Sequence, residues 1–153
     1  SKQSHLRYME IPASLLGAVA TEGEIFFFEK GCPVGIENHP HVLVRHNGNY
    51  LFLNTCSSSL DTAIRLARIR RWDNRTYPVI FKSAVNKLMR DTYVNCNEFI
   101  ELTEDEFGNL TRRGLIHREV GGGTIPESDM IRIREGIDLS VNISDEDKDR
   151  ILR

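Results

Sequence analysis

The chain has 153 residues, 40% hydrophobic and 27% charged, with a formal net charge of −2 at pH 7. This length predicts one domain that spans residues 1–153. No apolar run approaches the roughly 20 residues that cross a bilayer, and no secretory signal pattern is present, so we expect a cytoplasmic protein without membrane contact. The three cysteines are odd in number and widely spaced, which argues against a disulfide framework.

Two elements are predicted ahead of residue 30. Pro12 is tolerated in the first turn of a helix, so residues 11–20 are expected to be helical. The aromatic run that follows predicts a buried strand over residues 24–29. The apolar face of the helix would be formed by Leu15, Leu16 and Val19.

A β-hairpin is the clearest local signal in the sequence. Two strand-like runs, 41–46 and 49–54, flank Asn47-Gly48, a dipeptide that accepts positive φ at both centres of a type I′ turn. A turn at those centres places His41 roughly opposite Asn54. The segments just outside the two strands would then meet at one end of the sheet.

The rest of the chain alternates short strands with helices. Serines ahead of residue 60 offer an N-cap for an amphipathic helix that ends near Trp72, and Thr103 with Glu106 forms a capping box for another helix that ends near Gly114. Further elements are strands at 77–81, 92–102 and 115–120, a helical turn at 84–90, a glycine hinge at 121–123, and helices that begin near Pro126 and Ser144.

Strands that outnumber and interrupt the helices, with short links between them, predict an α+β fold. The expected architecture is a small half-open antiparallel β-barrel with helices on its outside. The barrel core would occupy about residues 22–121, and a helical C-terminal part about residues 126–153.

Charge is distributed unevenly along the chain. Residues 62–90 contain eight Lys or Arg and one Asp, for a net charge of +7, whereas the remaining residues together carry −9. The basic segment is either a surface that binds a polyanion or a solvated helix face. The residues that we expect to contact RNA there are Arg65, Arg68, Arg71 and Arg75.

The two segments that meet at the end of the hairpin contain groups suited to acid–base chemistry. His39 and His41 supply imidazoles that titrate near neutral pH, and Thr55, Ser57 and Ser58 supply hydroxyls next to a helix N-terminus that can hold a phosphate. RNA cleavage without a metal requires a base, an acid and donors to the phosphorane. The alternative is that the hydroxyls are helix caps and the histidines a polar start of a strand.

A zinc site is a further alternative. Cys32, His39, His41 and Cys56 carry the ligand atoms that zinc prefers. Their spacing contains no Cys-x-x-Cys pattern, so we expect no metal and no other cofactor.

Several short motifs together resemble those of one protein family. They are Glu24-Ile25, His39-Pro40-His41-Val42-Leu43-Val44, Leu53-Asn54-Thr55-Cys56-Ser57 and Asp91-Thr92-Tyr93-Val94-Asn95-Cys96, followed by Ile131, Ile133, Gly136, Ser140 and Ile143. In these stretches the chain resembles the PemK/MazF-like toxins.

The resemblance implies an SH3-like barrel with metal-independent endoribonuclease activity on single-stranded RNA. It also implies an antitoxin protein as a candidate partner and a homodimer as a candidate assembly. The catalytic hydroxyl would be that of Ser57, with Thr55 or Ser58 as substitutes. The chain departs from the family pattern at His39, where a basic residue is usual, at Cys56, and in the helix that begins at Ser59, which looks like an insertion.

Two other functions remain open from the sequence. One is a catalytically inactive barrel that binds nucleic acid or a protein through the basic segment. The other is a structural or assembly protein of a phage or bacterium. Salt-sensitive RNA binding without cleavage would indicate the former, because phosphate contacts weaken steeply with salt.

Overall fold

The computed structural model describes residues 11–118 and 122–153. Within them the chain forms five α-helices and seven β-strands, which are labelled here in chain order. The helices are α1 Ala13–Ala18, α2 Leu60–Arg70, α3 Glu104–Arg112, α4 Glu127–Leu139 and α5 Asp145–Leu152. The strands are β1 Ile25–Phe28, β2 His39–Asn47, β3 Tyr50–Ser57, β4 Val79–Ile80, β5 Thr92–Val94, β6 Ile100–Thr103 and β7 Ile116–Arg118.

The strands of the described residues form one antiparallel sheet in the order β4-β5-β3-β2-β1-β7. Strand β3 is long enough to have two partners besides β2, because β6 pairs with its first half and β5 with its last two residues. The outer strands β4 and β7 do not pair with each other, so the sheet is not closed into a barrel. The predicted α+β class is confirmed.

Both faces of the sheet are buried, each in its own hydrophobic core. Val42 and Val44 of β2 face a core that α4 and α5 complete with Ile133 and Ile151. Leu43, between them, faces the opposite core, which α3 completes, because successive side chains of a strand point to opposite faces. Burial of such side chains stabilises the fold by about 1.5–3 kcal/mol each.

Helix α1 is present, but its predicted apolar face is wrong. Leu15 and Val19 are 53% and 60% exposed. The helix instead packs on α3 through Ala13 and Gly17, and a Cβ atom at Gly17 would collide with the α3 backbone at its first residue. Small residues allow the two backbones to approach closely, and this contact determines which face of α1 is buried.

The hairpin is confirmed, but its turn and register differ from the prediction. The last pair of the ladder is Asn47 with Tyr50, so the turn lies one residue further along the chain than expected. A bulge in the middle of β2 then places His41 opposite Thr55 instead of Asn54.

Three other elements differ in extent. The predicted strand 92–102 is two strands, β5 and β6, separated by a turn in which the Asn97 N–H donates to Asn95 Oδ1. The predicted strand 77–81 contains only the two residues of β4. The last two residues of the predicted strand 115–120, and the first glycine of the predicted hinge, lie outside the described residues.

No helix within residues 11–118 and 122–153 has both the length and the apolar character that a membrane span requires.

Candidate functional site

A cleft of about 510 Å³ opens at the end of the sheet where β2 begins and β3 ends. Neighbouring strands supply a row of side chains along it, since His117 of β7 pairs with Phe27 of β1, and Phe27 pairs with Pro40 of β2. The antiparallel sheet therefore brings residues as far apart in the chain as Phe27 and His117 to one open surface.

The two segments predicted to form a site do meet in this cleft. His39 from the start of β2 and Ser57 and Ser58 from the end of β3 line it together. Lys87 and Arg90, which belong to the basic segment, line the same cleft. The cleft thus combines imidazole, hydroxyl and cationic groups.

His39 is positioned to accept a proton. Its Nδ1 lies 2.8 Å from the carbonyl oxygen of Glu37, so Nδ1–H donates and the lone pair of a neutral ring resides on Nε2. Within the described residues no group hydrogen-bonds to Nε2. The ring is only partly buried, so solvent or a substrate can reach it.

A second imidazole, that of His117, is paired with a carboxylate. His117 Nε2 lies 2.6 Å from Oε1 of Glu29, and the ring packs against Phe27 with their centroids 5.6 Å apart. Both His117 and Glu29 line the cleft and both are partly exposed. A carboxylate that holds an imidazole in place is a common element of acid–base sites.

The start of α2 contributes backbone donors at the edge of the cleft. Ser59 is the N-cap residue, but its side chain makes no capping hydrogen bond. Ser57 Oγ accepts a hydrogen bond from the Ser59 N–H at 3.3 Å. Helix N-terminal N–H groups that no cap satisfies are favourable neighbours for an anion.

His41, which the sequence suggested as a catalytic residue, is sealed beneath the cleft. Its exposed fraction is 0%, and its ring stacks on Phe28 at a centroid distance of 3.8 Å. Nδ1–H donates to the His39 carbonyl at 3.0 Å, and Nε2 accepts the Ile36 N–H at 3.2 Å. Burial lowers the pKa of His41 to about 4, so near neutral pH the ring is uncharged and its lone pair is occupied.

The other predicted site residues lie outside the cleft. Thr55 is half-buried and pairs with His41 across the hairpin. Arg65, Arg68 and Arg71 belong to α2 or its end, and Arg75 is held by Asp73, with Nη2 2.8 Å from Oδ2. None of these residues is among those that line the cleft.

The residues that sequence reasoning missed are His117 and Glu29. They are 88 positions apart in the chain, and only the pairing of β1 with β7 brings them together. Each residue alone carries no local motif, so no short-range signal was available to identify the pair.

The three cysteines are all buried. Burial raises the pKa of Cys96 far above its ordinary value, which makes this thiol a poor nucleophile. Cys32 and Cys56 belong to opposite cores of the sheet, so the four-residue zinc grouping considered from the sequence does not assemble. Among residues 11–118 and 122–153, no three His, Cys, Asp or Glu side chains form a group that could hold a metal ion.

Comparison with known proteins gives no match to a family model and no match to a curated protein. The geometry of the cleft is therefore the basis for the functional argument. Its chemistry is that of two imidazoles, one carboxylate and two cations around an open space.

Proposed function

We propose that the protein is a toxin-like, metal-independent endoribonuclease that cleaves single-stranded RNA in this cleft. The observation that carries the proposal is that one open cleft contains two imidazoles in different settings. His39 offers an acceptor nitrogen, whereas His117 is held by the carboxylate of Glu29. Lys87 and Arg90 supply positive charge beside them.

The two imidazoles would divide the proton transfers of RNA cleavage. His39 Nε2 takes the proton of the ribose 2′-hydroxyl, whose oxygen attacks the adjacent phosphorus. The bond from phosphorus to the 5′-oxygen breaks, and that oxygen takes the Nδ1 proton of protonated His117, which would leave its 3.2 Å contact with the Arg118 carbonyl while Glu29 keeps hold of Nε2. The products are a 2′,3′-cyclic phosphate and a 5′-hydroxyl, and the imidazoles end in exchanged protonation states that solvent restores.

Charge on the phosphorane would be stabilised by groups around the cleft. Lys87 and Arg90 are cations, and the Ser58 and Ser59 segment adds backbone donors at the start of α2. Fixed donors aimed at developing negative charge lower the barrier most when water is partly excluded. The Arg65, Arg68, Arg71 and Arg75 contacts predicted from the sequence are not needed for this step and stay predictions.

The same proposal includes the finer fold assignment, a half-open SH3-like barrel of the PemK/MazF type. Its support is the long strand β3, which bridges β2 on one edge and both β5 and β6 on the other, and the bulge that bends the β2–β3 hairpin. An antitoxin protein and a homodimer would accompany this assignment and belong to the proposal.

The test is cleavage of mixed single-stranded RNA by purified protein in EDTA. We expect fragments that end in 2′,3′-cyclic phosphate, and a loss of at least about a hundredfold in rate for His39→Gln and for His117→Asn. Glu29→Gln should lose about tenfold, because His117 keeps its ring but loses the carboxylate that orients it. His46→Asn is the matched control, since His46 lies outside the cleft and bonds to Glu104 and the Ala20 carbonyl.

Intact RNA across pH 6–8, from protein shown by circular dichroism to be folded, would contradict the proposal. Equal losses in the His39 and His46 variants would indicate general destabilisation instead of catalysis. Salt-sensitive RNA binding without cleavage would favour the inactive binding module.

A further inference from the structure

The cleft has apolar side chains that the proton transfers do not use. Phe27 of β1 pairs with Pro40 of β2 on one side and with His117 of β7 on the other. Directly paired residues of antiparallel strands project from the same face of the sheet, and all three side chains line the cleft. They form a row across neighbouring strands, with the Phe27 ring between Pro40 and the imidazole.

This row lies beyond the edge of the core on its face of the sheet. Phe26 and Phe28 point into one core, so Phe27 points to the opposite face, where Ile25 packs in the core that α4 and α5 complete. Phe27 is half-buried and belongs to neither core of the described residues. The core therefore includes Ile25 but stops short of Phe27, which leaves an aromatic ring on an open surface.

Met89 adds a second apolar group to the lining of the same cleft. It is 89% exposed, whereas the preceding Leu88 packs against the core that contains Ile25. A single exposed apolar side chain is ordinary on a protein surface. Met89 is distinguished because it lines a cleft that also contains an aromatic ring, and because Lys87 and Arg90 line that cleft beside it.

The backbone that carries Met89 is held in one shape by a buried amide. Asn86 Oδ1 accepts the N–H groups of Ser83 and Leu88, each at 3.0 Å. Lys87, between these acceptor contacts and Met89, has a φ of 54°, a left-handed conformation that is unfavourable for a residue with a Cβ atom. Such a conformation persists only where the surroundings enforce it, and an ordered wall loses less freedom when a ligand binds.

The charges around the cleft favour an anionic ligand. Among residues 11–118 and 122–153, Arg90 forms no ion pair. Glu29 is the only acid among the described residues that line the cleft, and its carboxylate is bonded to His117. An exposed aromatic ring beside cations is complementary to flat bases on a chain of phosphates, which is how single-stranded nucleic acid is commonly bound.

We propose that Phe27 and Met89 form a nucleobase-binding subsite, in which one base of the RNA stacks on the Phe27 ring and packs against the Met89 thioether. The inference rests on the proposed function, since it assumes that single-stranded RNA occupies this cleft. It deepens that function, because a base held beside His117 positions the neighbouring phosphate for proton transfer. Stacking tolerates any base, so the subsite requires a base without specifying which one.

The test is the binding of an RNA analogue that cannot be cleaved. A fluorescein-labelled single-stranded oligonucleotide with 2′-O-methyl groups lacks the attacking hydroxyl, so its affinity, measured by fluorescence anisotropy in EDTA, does not depend on catalysis. A second oligonucleotide of equal length carries the same phosphates but no bases. We expect it to bind at least about fivefold more weakly, because it cannot stack.

Two substitutions should reproduce the loss of the bases. Phe27→Leu should weaken binding of the base-containing oligonucleotide at least about fivefold, and Phe27→Tyr should retain it because the ring remains. Met89→Ala, at an exposed position, should weaken binding at least about threefold. The matched controls are Phe81→Leu and Val85→Ala, at positions that are 69% and 57% exposed but do not line the cleft, and these should change affinity by less than about 1.5-fold.

Salt dependence separates the base contact from the phosphate contacts. Arg90→Gln should reduce the slope of log affinity against log salt concentration by about 1, because one phosphate contact is lost. Phe27→Leu should lower the affinity and leave that slope unchanged. A change of slope in Phe27→Leu as large as that in Arg90→Gln would contradict a stacking role.

Equal affinity for the oligonucleotides with and without bases, or equal losses in Phe27→Leu and Phe81→Leu, would overturn the proposal. A peptide of glutamates around one leucine that binds more tightly than the oligonucleotide and depends on Phe27 would make a protein segment the occupant, and would also overturn it. Base-dependent binding through Phe27 and Met89, in protein that leaves cleavable RNA intact, would support the subsite and contradict only the nuclease. RNA cleavage at an unchanged rate and affinity in Phe27→Leu would do the reverse.

Discussion

Hydroxyl side chains lie both in the cleft and in the buried polar network around Asn97, but only the cleft is open to solvent. In the network, Asn97 is 1% exposed; its Nδ2 donates to Thr76 Oγ1 at 2.8 Å, and its Oδ1 accepts from Ser140 Oγ at 2.7 Å. In the cleft, His39 Nε2 has no hydrogen-bond partner among the described residues, and Ser57 is only partly buried.

The difference shows how burial decides what a polar group does. A sealed group must be hydrogen-bonded within the protein, since an unpaired buried donor or acceptor costs about 1–3 kcal/mol. It therefore contributes to stability and is unavailable to a ligand. His39 and His41 repeat the comparison two residues apart: the first lines the cleft, and the second fastens the Ile36 backbone beneath it.

The largest expected effect comes from removing the side-chain amide of Asn97 at the centre of the buried network. Asn97→Ala should lower the free energy of unfolding by about 3–4 kcal/mol, because the hydroxyls of Thr76 and Ser140 both lose a partner in a dry interior. Urea denaturation at pH 7 measures the loss. Asn109→Ala, on the exposed face of α3, is the control and should change stability by less than about 0.5 kcal/mol; similar values for the two variants would contradict the assignment of the network.

His41 should make stability depend on pH. Its pKa falls from 6.5 to about 4 because burial disfavours the charged ring, so between those values the unfolded chain binds a proton that the folded chain does not. The free energy of unfolding is therefore highest above about pH 6.5 and decreases as the pH falls toward 4, by up to about 3 kcal/mol. Urea denaturation at several pH values, in the wild type and in His41→Gln, measures this contribution.

Every other titrating group is present in both proteins, so the difference between the two stability curves reports His41 alone. The stability of His41→Gln should vary less with pH between 4.5 and 6.5 than that of the wild type. Parallel curves for the two proteins would show that the pKa of His41 is the same in the folded and unfolded states, which would contradict the effect of burial.

The smallest expected change in stability comes from replacing one serine by alanine, either in the buried network or in the cleft. Ser140→Ala leaves Asn97 Oδ1 without its donor in the interior and should cost about 2 kcal/mol. Ser57→Ala removes only a 3.3 Å hydrogen bond from the Ser59 N–H at the cleft edge, where water can replace it, and should cost less than about 0.5 kcal/mol. Thermal unfolding of both variants measures the difference, and equal shifts would remove the distinction between a sealed and an open site.

Much of the local structure could be predicted because its causes lie within a few residues. In the capping box, the Thr103 side chain accepts the Glu106 N–H and the Glu106 side chain accepts the Thr103 N–H. The Ser144 side chain caps α5 by accepting the Asp147 N–H. The hairpin was predicted from a glycine turn between two apolar runs, although the bulge that sets its register was not. The bulge depends on how β2 fits both of its neighbours and the two cores.

Of the candidate site, the meeting of His39 with Ser57 and Ser58 follows from the hairpin and could be predicted from sequence. The different burial of His39 and His41 could not, since residues two apart in a strand point to the same face and alternation predicts no difference between them. Their different burial depends on the loop that includes Ile36 and on Phe28 from another strand.

The sequence by itself therefore determined the elements whose signals are short in range: the hairpin, the helix caps and the mixed α+β class. The tertiary structure alone decided that Glu29 meets His117 and that α1 docks through Gly17. The physical reason is that burial and pairing between distant segments depend on which strands become neighbours, and that choice is made by the packing of both cores together.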